Sequence, residues 1–333
     1  MELRPLGRSG LRVSVLGFGC GDVGGLMVRG SAEEQRRSIA RALEAGVNFF
    51  DTSDSYGKGQ SEIALGRALR DLGANPIVAT KVTRSDTELA DNGVTIRASL
   101  EESLRRLGRD SVDLFLLHGR VGLSNGGMDT ERVLGPIAEG MVAVREAGLT
   151  RLIGFNGLGD PADLHRIAQL GAWDAAHCYV NALNPSAGWD MEVPGQQNFQ
   201  NLIGRCAENG AAPIGIRLLA GGALAPGGAR HPLAGGGMGG RAMVPGADWE
   251  RDVARGVALS SVAEQFGLEN AFELSVRMVM RQPELSTLLF GFSAFAHLED
   301  ALRWVERGPL TADQVDQVLQ LAASGGTTPP SPV

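Results

Sequence analysis

The chain has 333 residues and is 43% hydrophobic, enough for one large domain with a substantial core. A formal charge of −7 with no block of Lys or Arg argues against nucleic acid or an anionic membrane surface as a partner, while leaving room for a nucleotide held by backbone amides. Three widely spaced cysteines (Cys20, Cys178, Cys206) suit neither a disulfide framework nor a zinc site, and no stretch suits a secretory signal or a bilayer span, so the expected location is the cytoplasm.

Residues 1–12 precede the first apolar run, and Gly7-Arg8-Ser9-Gly10 reads as a β-hairpin turn. Residues 13–18 form the first predicted strand. Ser31 and Glu34 stand at capping-box spacing, Ile39, Ala42 and Leu43 make an apolar helix face, and Gly46 ends that helix. The apolar run 47–50 then leads into Asp51. A helical stretch over 62–72 precedes a strand at 76–80 that delivers Lys81. A helix with Ile96, Leu100, Leu104 and Leu107 on one face is closed by Gly108, and the strand 112–117 delivers His118. The unit repeats as helix 130–147 with strand 151–155, helix 161–170 with strand 175–180, and helix 199–209 with strand 214–219. Residues 288–290 form the eighth strand, followed by a helix from about Leu298.

Apolar strands alternating with helices imply a parallel sheet covered on its outer faces, and eight such units close a (β/α)8 TIM barrel. The N-terminal hairpin is expected to cap the barrel floor, and the barrel domain to occupy 1–323. The tail 324–333, with three prolines, is expected to be disordered. The glycine-rich segment 221–248 follows the seventh strand, on the face where barrel enzymes place their sites, and reads either as a mobile lid or as a plain variable loop.

Asp51, Lys81 and His118 end the second, third and fourth strands, and Tyr56 stands five residues beyond Asp51. Each has a bland alternative: a helix-capping Asp, a solvated Lys, a hydrogen-bonded structural His, a packing Tyr. Four such residues at equivalent heights on neighbouring strands weigh against coincidence, and the chain has only two tyrosines, Tyr56 and Tyr179. Reduction of a carbonyl by hydride needs a proton donor for the developing alkoxide. A phenol, whose ordinary pKa is about 10, is brought toward working pH by a neighbouring ammonium. Asp51 would anchor that ammonium on Lys81, and His118 would orient the substrate carbonyl.

These residues resemble the aldo-keto reductase family. Phe50-Asp51-Thr52-Ser53-Asp54-Ser55-Tyr56-Gly57 is similar to its Asp-Thr-Ala, two variable residues, Tyr-Gly motif. Ala79-Thr80-Lys81-Val82 resembles its lysine strand, and Ser103-Leu104-Arg105-Arg106-Leu107, then Val112-Asp113-Leu114 and His118, its helix-to-histidine segment. The resemblance runs over roughly residues 3 to 315 and implies NAD(P)H-dependent reduction of a small carbonyl compound. Tyr56 would be the acid/base, supported by Asp51, Lys81 and His118, with no metal. For the cofactor it implies a set of Gly19, Cys20, Asp51, Asn156, His177, Arg217, Leu219, Gly221, Gly291, Ser293, His297 and Asp300. This half departs from the family pattern. Gly154-Phe155-Asn156-Gly157 replaces Gly-Val-Ser-Asn, His177 stands for a glutamine, and Ala301 for an adenine-contacting Asn. The last motif, from Gly291-Phe292-Ser293 to Ala301, lacks the basic residues that normally meet an adenosine 2′-phosphate, with Arg303 a nearby substitute. NADP and NAD are therefore equally open as cofactors.

Two other readings use the same barrel. One is a cofactor-bound, redox-sensing regulatory subunit; the other is a lyase or aldolase with Lys81 as a Schiff base. A metal-dependent hydrolase is disfavoured, since the five histidines show no ligand spacing. The loops 21–30, 119–128 and 221–246 would set specificity for an aldehyde, ketone or sugar lactol, and their pattern decodes neither the substrate nor the oligomeric state.

Overall fold

The first two strands, β1 (Leu3–Pro5) and β2 (Arg12–Ser14), pair antiparallel with Leu3 opposite Ser14 in the computed structural model, which describes residues 1–91, 93–235 and 247–326. Gly7 sits between them at φ 53°, the left-handed conformation that a tight turn asks of glycine. A Cβ there would lie 3.0 Å from Ala212 Cβ, so the turn rests directly on the floor of the barrel. From the hairpin, Leu6 and Val13 are fully buried against Phe49, Ala79, Leu114 and Ala175, the inward residues of the strands above. Each buried side chain of this size contributes about 1.5–3 kcal/mol, so the hairpin is fastened by its apolar face.

Eight parallel strands form the barrel: β3 (Leu16–Gly19), β4 (Phe49–Asp51), β5 (Ile77–Val82), β6 (Val112–Leu117), β8 (Thr150–Gly159), β9 (Ala175–Tyr179), β10 (Ala212–Ile216) and β11 (Thr287–Gly291). Between β6 and β8, the two-residue β7 (Arg120–Val121) extends the pairing beyond the mouth. Pairing of β3 with β11 and of β6 with β8 closes the ring, all in parallel register. The (β/α)8 TIM barrel with an N-terminal hairpin is thus the observed fold.

Several boundaries move from the sequence expectation, each for a local reason. The first strand, expected over 13–18, divides in two because Ser14 is drawn sideways: its amide donates to Asn48 Oδ1 (2.7 Å) and its hydroxyl to Leu16 O (2.7 Å). Residues before the kink join the hairpin and those after it join the barrel. The seventh strand, expected over 214–219, stops at Ile216 because Arg217 adopts φ 61° and the chain turns into a short helix at Ala220–Gly222. The helix expected over 130–147 is interrupted at Val133–Ile137, where Pro136 removes a donor from the ladder. The helix expected over 199–209 begins only at Leu202, since Gln200 and Asn201 are left-handed (φ 53° and 54°) and Asn201 caps the first turn. Of the segment 221–248, read either as a lid or as a plain variable loop, 236–246 lies outside the described residues. So do residues 327–333 of the tail.

Candidate active site

The carboxyl ends of the strands surround a cavity of about 830 Å³, inside the range usual for a cofactor-sized ligand. Asp51, last residue of β4, and Lys81, penultimate in β5, lie side by side beneath it, each only 1% exposed. Lys81 Nζ donates to Asp51 Oδ1 at 2.5 Å and to the Thr52 carbonyl at 2.6 Å. Burial works against ionising Asp51, but Lys81 and then His177 outweigh it and hold the carboxyl below its ordinary range. For Lys81 burial again opposes the charged form, while Asp51 and Tyr56 outweigh it and raise its pKa. The two therefore stand as a buried ion pair, and the ammonium sits 4.9 Å from the centroid of the Tyr56 ring.

Tyr56 and His118 both line the cavity, their rings edge to face at 5.7 Å. Burial raises the Tyr56 phenol above its usual value and outweighs the pull of Lys81, so the phenol is held protonated. The ammonium lowers the phenol in the sense the sequence reading expects, and burial is the larger, opposing effect. His118 is pushed down to about 3, first by burial and then by Lys81, and is neutral. Its Nδ1 is engaged by Thr83 Oγ1 (2.9 Å) and Ser53 Oγ (3.2 Å), which orient the ring, and no described residue bonds to Nε2. A protonated phenol, set above a cation and beside a neutral imidazole, can deliver a proton to an oxygen seated in the cavity.

On the adjoining strands, Asn156 and His177 are partners in register and both are buried. Burial holds His177 neutral against the opposing pull of Asp51. Asn156 Oδ1, His177 Nε2 and Asp51 Oδ2 are fully buried with no hydrogen-bond partner among the described residues. Orphaned polar atoms at a cavity wall are the complement of a polar group not yet in place, and a flat carboxamide fits this donor-and-acceptor set.

The cavity is also lined by Gly19, Arg217, Leu219, Gly221, Gly291, Ser293, His297 and Asp300, as the sequence reading expects. Cys20 is a correction: its side chain turns into the hydrophobic core, and only its backbone serves the site, donating to Asp51 O at 2.8 Å. Arg303 is a second correction, since Glu269 and Asp300 engage its guanidinium and it does not line the cavity. Lys81 is not in the lining either, and a charged amine locked under Tyr56 is no Schiff-base nucleophile. Sequence reasoning overlooked Arg230, Phe272 and Trp304, which complete the wall. Trp304 had a signal: His297, Asp300 and Trp304 are spaced i, i+3, i+7 on the helix Phe295–Glu306 and so share one face. Arg230 and Phe272 had none.

Among the described residues no helix is long and apolar enough to cross a membrane, and no group of three or more His, Cys, Asp or Glu is arranged to hold a metal. Among curated proteins, the chain is 34% identical over 167 residues to L-galactose dehydrogenase of Arabidopsis thaliana, covering 49% of this chain and 50% of that protein. It is 36% identical over 124 residues to a probable voltage-gated potassium channel subunit beta of Oryza sativa subsp. japonica, covering 35% of this chain and 37% of that one. The chain thus spans half or less of the length of these relatives. Among solved structures, an aldo-keto reductase from Bacillus halodurans in its holo form superposes with a TM-score of 0.72 at 22% identity, covering 97% of this chain and 96% of that one. The glycerol dehydrogenase of Gluconobacter oxydans gives 0.72 at 20% identity, with 99% and 98% covered; at such identities both show the fold. The sequence profile of the Aldo/keto reductase family matches residues 15–323, from the first barrel strand to the last helix, and this chain belongs to that family.

Proposed function

We propose that the chain transfers hydride reversibly between NADP or NAD and the carbonyl of a small aldehyde, ketone or sugar, with Tyr56 as general acid and base. The observation that carries this reading is the stack of groups at one end of the cavity: a buried Asp51–Lys81 pair, the Tyr56 phenol above it, and neutral His118 alongside. When bound, the nicotinamide supplies or accepts the hydride. Asn156 and His177 would hold its carboxamide, and Arg217, Leu219, Gly221, Gly291, Ser293, His297 and Asp300 the rest of the dinucleotide.

The protein's part is proton transfer and charge placement. Tyr56 gives its phenolic proton to the carbonyl oxygen as that oxygen becomes an alcohol, and Lys81 stabilises the tyrosinate left behind. Asp51 keeps Lys81 charged in a dry site. His118 orients the carbonyl without competing for the proton, because it is held neutral. In the oxidative direction the same tyrosinate takes the alcohol proton. The single barrel over 1–323 and a cytoplasmic location, suggested by three free and buried cysteines, belong to the same proposal.

Titration of the purified protein with NADPH and with NADH, followed by tryptophan fluorescence, tests the reading before any substrate screen. Saturable binding of either, followed by turnover of simple aldehydes, supports it; a folded protein that binds neither refutes it. The likeness to a channel subunit keeps one second reading in view, a redox-sensing subunit. Very tight cofactor retention with slow turnover at saturating substrate would favour that one.

A further inference from the structure

The cofactor half of the cavity poses a charge problem. The motif after β11 offers Ser293 and His297 where a basic residue would meet an adenosine 2′-phosphate, and Arg303 is committed to Glu269 and Asp300. Each carboxylate lining the cavity has its own cation: Asp22 pairs with Arg29, Asp51 with Lys81, and Asp300 with Arg303. Arg230 also lines the cavity, and no carboxylate among the described residues pairs with it. Its Nε and Nη2 are buried without a hydrogen-bond partner among those residues, and its Nη1 makes only a long contact, 3.4 Å, to Gly235 O. Burial and the nearby Arg29 both push the guanidinium below its usual range, so nothing described here compensates its charge. An arginine whose donors are buried and unmet, at the wall of an open cavity, is complementary to an anion that enters it.

Its place identifies the anion. The segment carrying Arg230 crosses to the last motif, where the ring of His231 stands edge-on to His297 at 5.5 Å. Gly235 N donates to Val23 O at 3.1 Å and Arg29 Nε to Leu233 O at 2.9 Å, so the segment is tied down on the β3 side as well. The helix Phe295–Glu306 starts just beyond Ser293 without a side-chain cap from Ala294, and its Phe295 amide donates to Glu34 Oε1 at 3.4 Å. Arg230, the two histidines and Ser293 thus line one cavity, joined by the His231–His297 ring contact.

We infer that Arg230 supplies the cationic contact for the adenosine 2′-phosphate that the last motif lacks, so that the chain selects NADPH over NADH. This rests on the dinucleotide-binding reading above and names which dinucleotide it is. A planar guanidinium with two unmet donors suits bidentate contact with a phosphate dianion, whereas an adenosine 2′-hydroxyl would leave its charge unanswered.

The test compares wild type, Arg230→Gln and Arg230→Lys, titrated with NADPH and with NADH and read by tryptophan fluorescence, with 2′,5′-ADP and 5′-ADP followed calorimetrically. Wild type should bind NADPH and 2′,5′-ADP more tightly than NADH and 5′-ADP. Arg230→Gln should weaken NADPH and 2′,5′-ADP by about 10- to 100-fold while moving NADH and 5′-ADP by less than about twofold, and Arg230→Lys should recover part of the loss. An equal loss for both dinucleotides would assign Arg230 to the pyrophosphate and overturn the inference, as would no loss for either. A wild type that prefers NADH overturns it without any variant. Failure of wild type to bind either dinucleotide is a separate result, because it removes the nicotinamide reading itself.

Discussion

Replacing Lys81 by methionine keeps the length and apolar stem of the side chain but removes the ammonium that compensates Asp51. In the native protein the pair is 2.5 Å apart and each partner is 1% exposed. Asp51 Oδ2 has no hydrogen bond among the described residues and lies 3.4 Å from His177 Nε2. After the substitution the carboxylate would have no full cation beside it, and Thr52 O would lose its donor. Removing one member of a buried pair costs about 3–5 kcal/mol, a large part of the 5–15 kcal/mol that holds a typical domain. The pH dependence adds an independent check. In wild type the Asp51 pKa is lowered, so its contribution is present above the ordinary carboxylate value of about 3.9 and is lost as pH falls through the folded value. The Lys81 pKa is raised, so its contribution is present below about 10.4 and is lost as pH rises through the folded value. Between those limits the pair should not make stability depend on pH. In the Lys81→Met protein, burial of Asp51 is opposed only by His177, so its pKa should rise and the variant should gain stability on acidification from pH 7 to pH 5. Guanidinium unfolding at both pH values measures this. The double variant Asp51→Asn/Lys81→Met should recover most of the loss, since it removes the stranded charge. A single variant within about 1 kcal/mol of wild type, or a double variant no more stable than the single, would refute the ion-pair reasoning.

Tyr56→Phe should lower carbonyl reduction by about 10²- to 10⁴-fold and leave NADPH affinity nearly unchanged; retention of full turnover would remove Tyr56 as the proton donor. His118 is held at about 3, so the profile of kcat/KM between pH 5 and 8 should carry no ionisation from it, and a limb near pH 6.5 that disappears in His118→Gln would contradict this. Gly66 packs its helix against Leu107, where a Cβ would collide with the carbonyl oxygen, so Gly66→Ala should destabilise by about 1–3 kcal/mol and lower Tm with activity per folded molecule preserved.

The barrel was readable because its signal is local. The strands β4, β5 and β6 are apolar runs that follow the helix-ending Gly46, Gly73 and Gly108 and lead to Asp51, Lys81 and His118, and β6 falls on the expected 112–117. The pattern misled at 214–219 because Leu218 and Leu219 are as apolar as strand residues, whereas the turn depends on left-handed φ at Arg217 and Ala220, to which an apolar pattern is blind. Cys20 entered the cofactor set through the family resemblance, and its side chain lies among core residues instead. Asp51, Tyr56, Lys81 and His118 were visible for a different reason. Each follows a strand directly or by a short turn, so chain position and spatial position nearly coincide.

The same reasoning explains why the far end of the cavity was poorly legible. Phe272 and Trp304 come from different helices and meet as a ring pair at 6.5 Å, while Arg230 lies in a segment whose sequence is mostly glycine, alanine and proline. Their proximity depends on how loops cross the mouth, and no periodicity encodes that. A barrel thus separates two problems. Chemistry that tolerates little displacement is built from strand ends, where hydrogen-bonded neighbours on both sides hold each residue, as Asp51 is held between β3 and β5. Cofactor selection needs only that some cation reach the phosphate, and a loop can deliver it from any of several chain positions. The absence of basic residues from the last motif is therefore no argument for NAD here: Arg230 stands at the same cavity wall, arriving from the segment after β10.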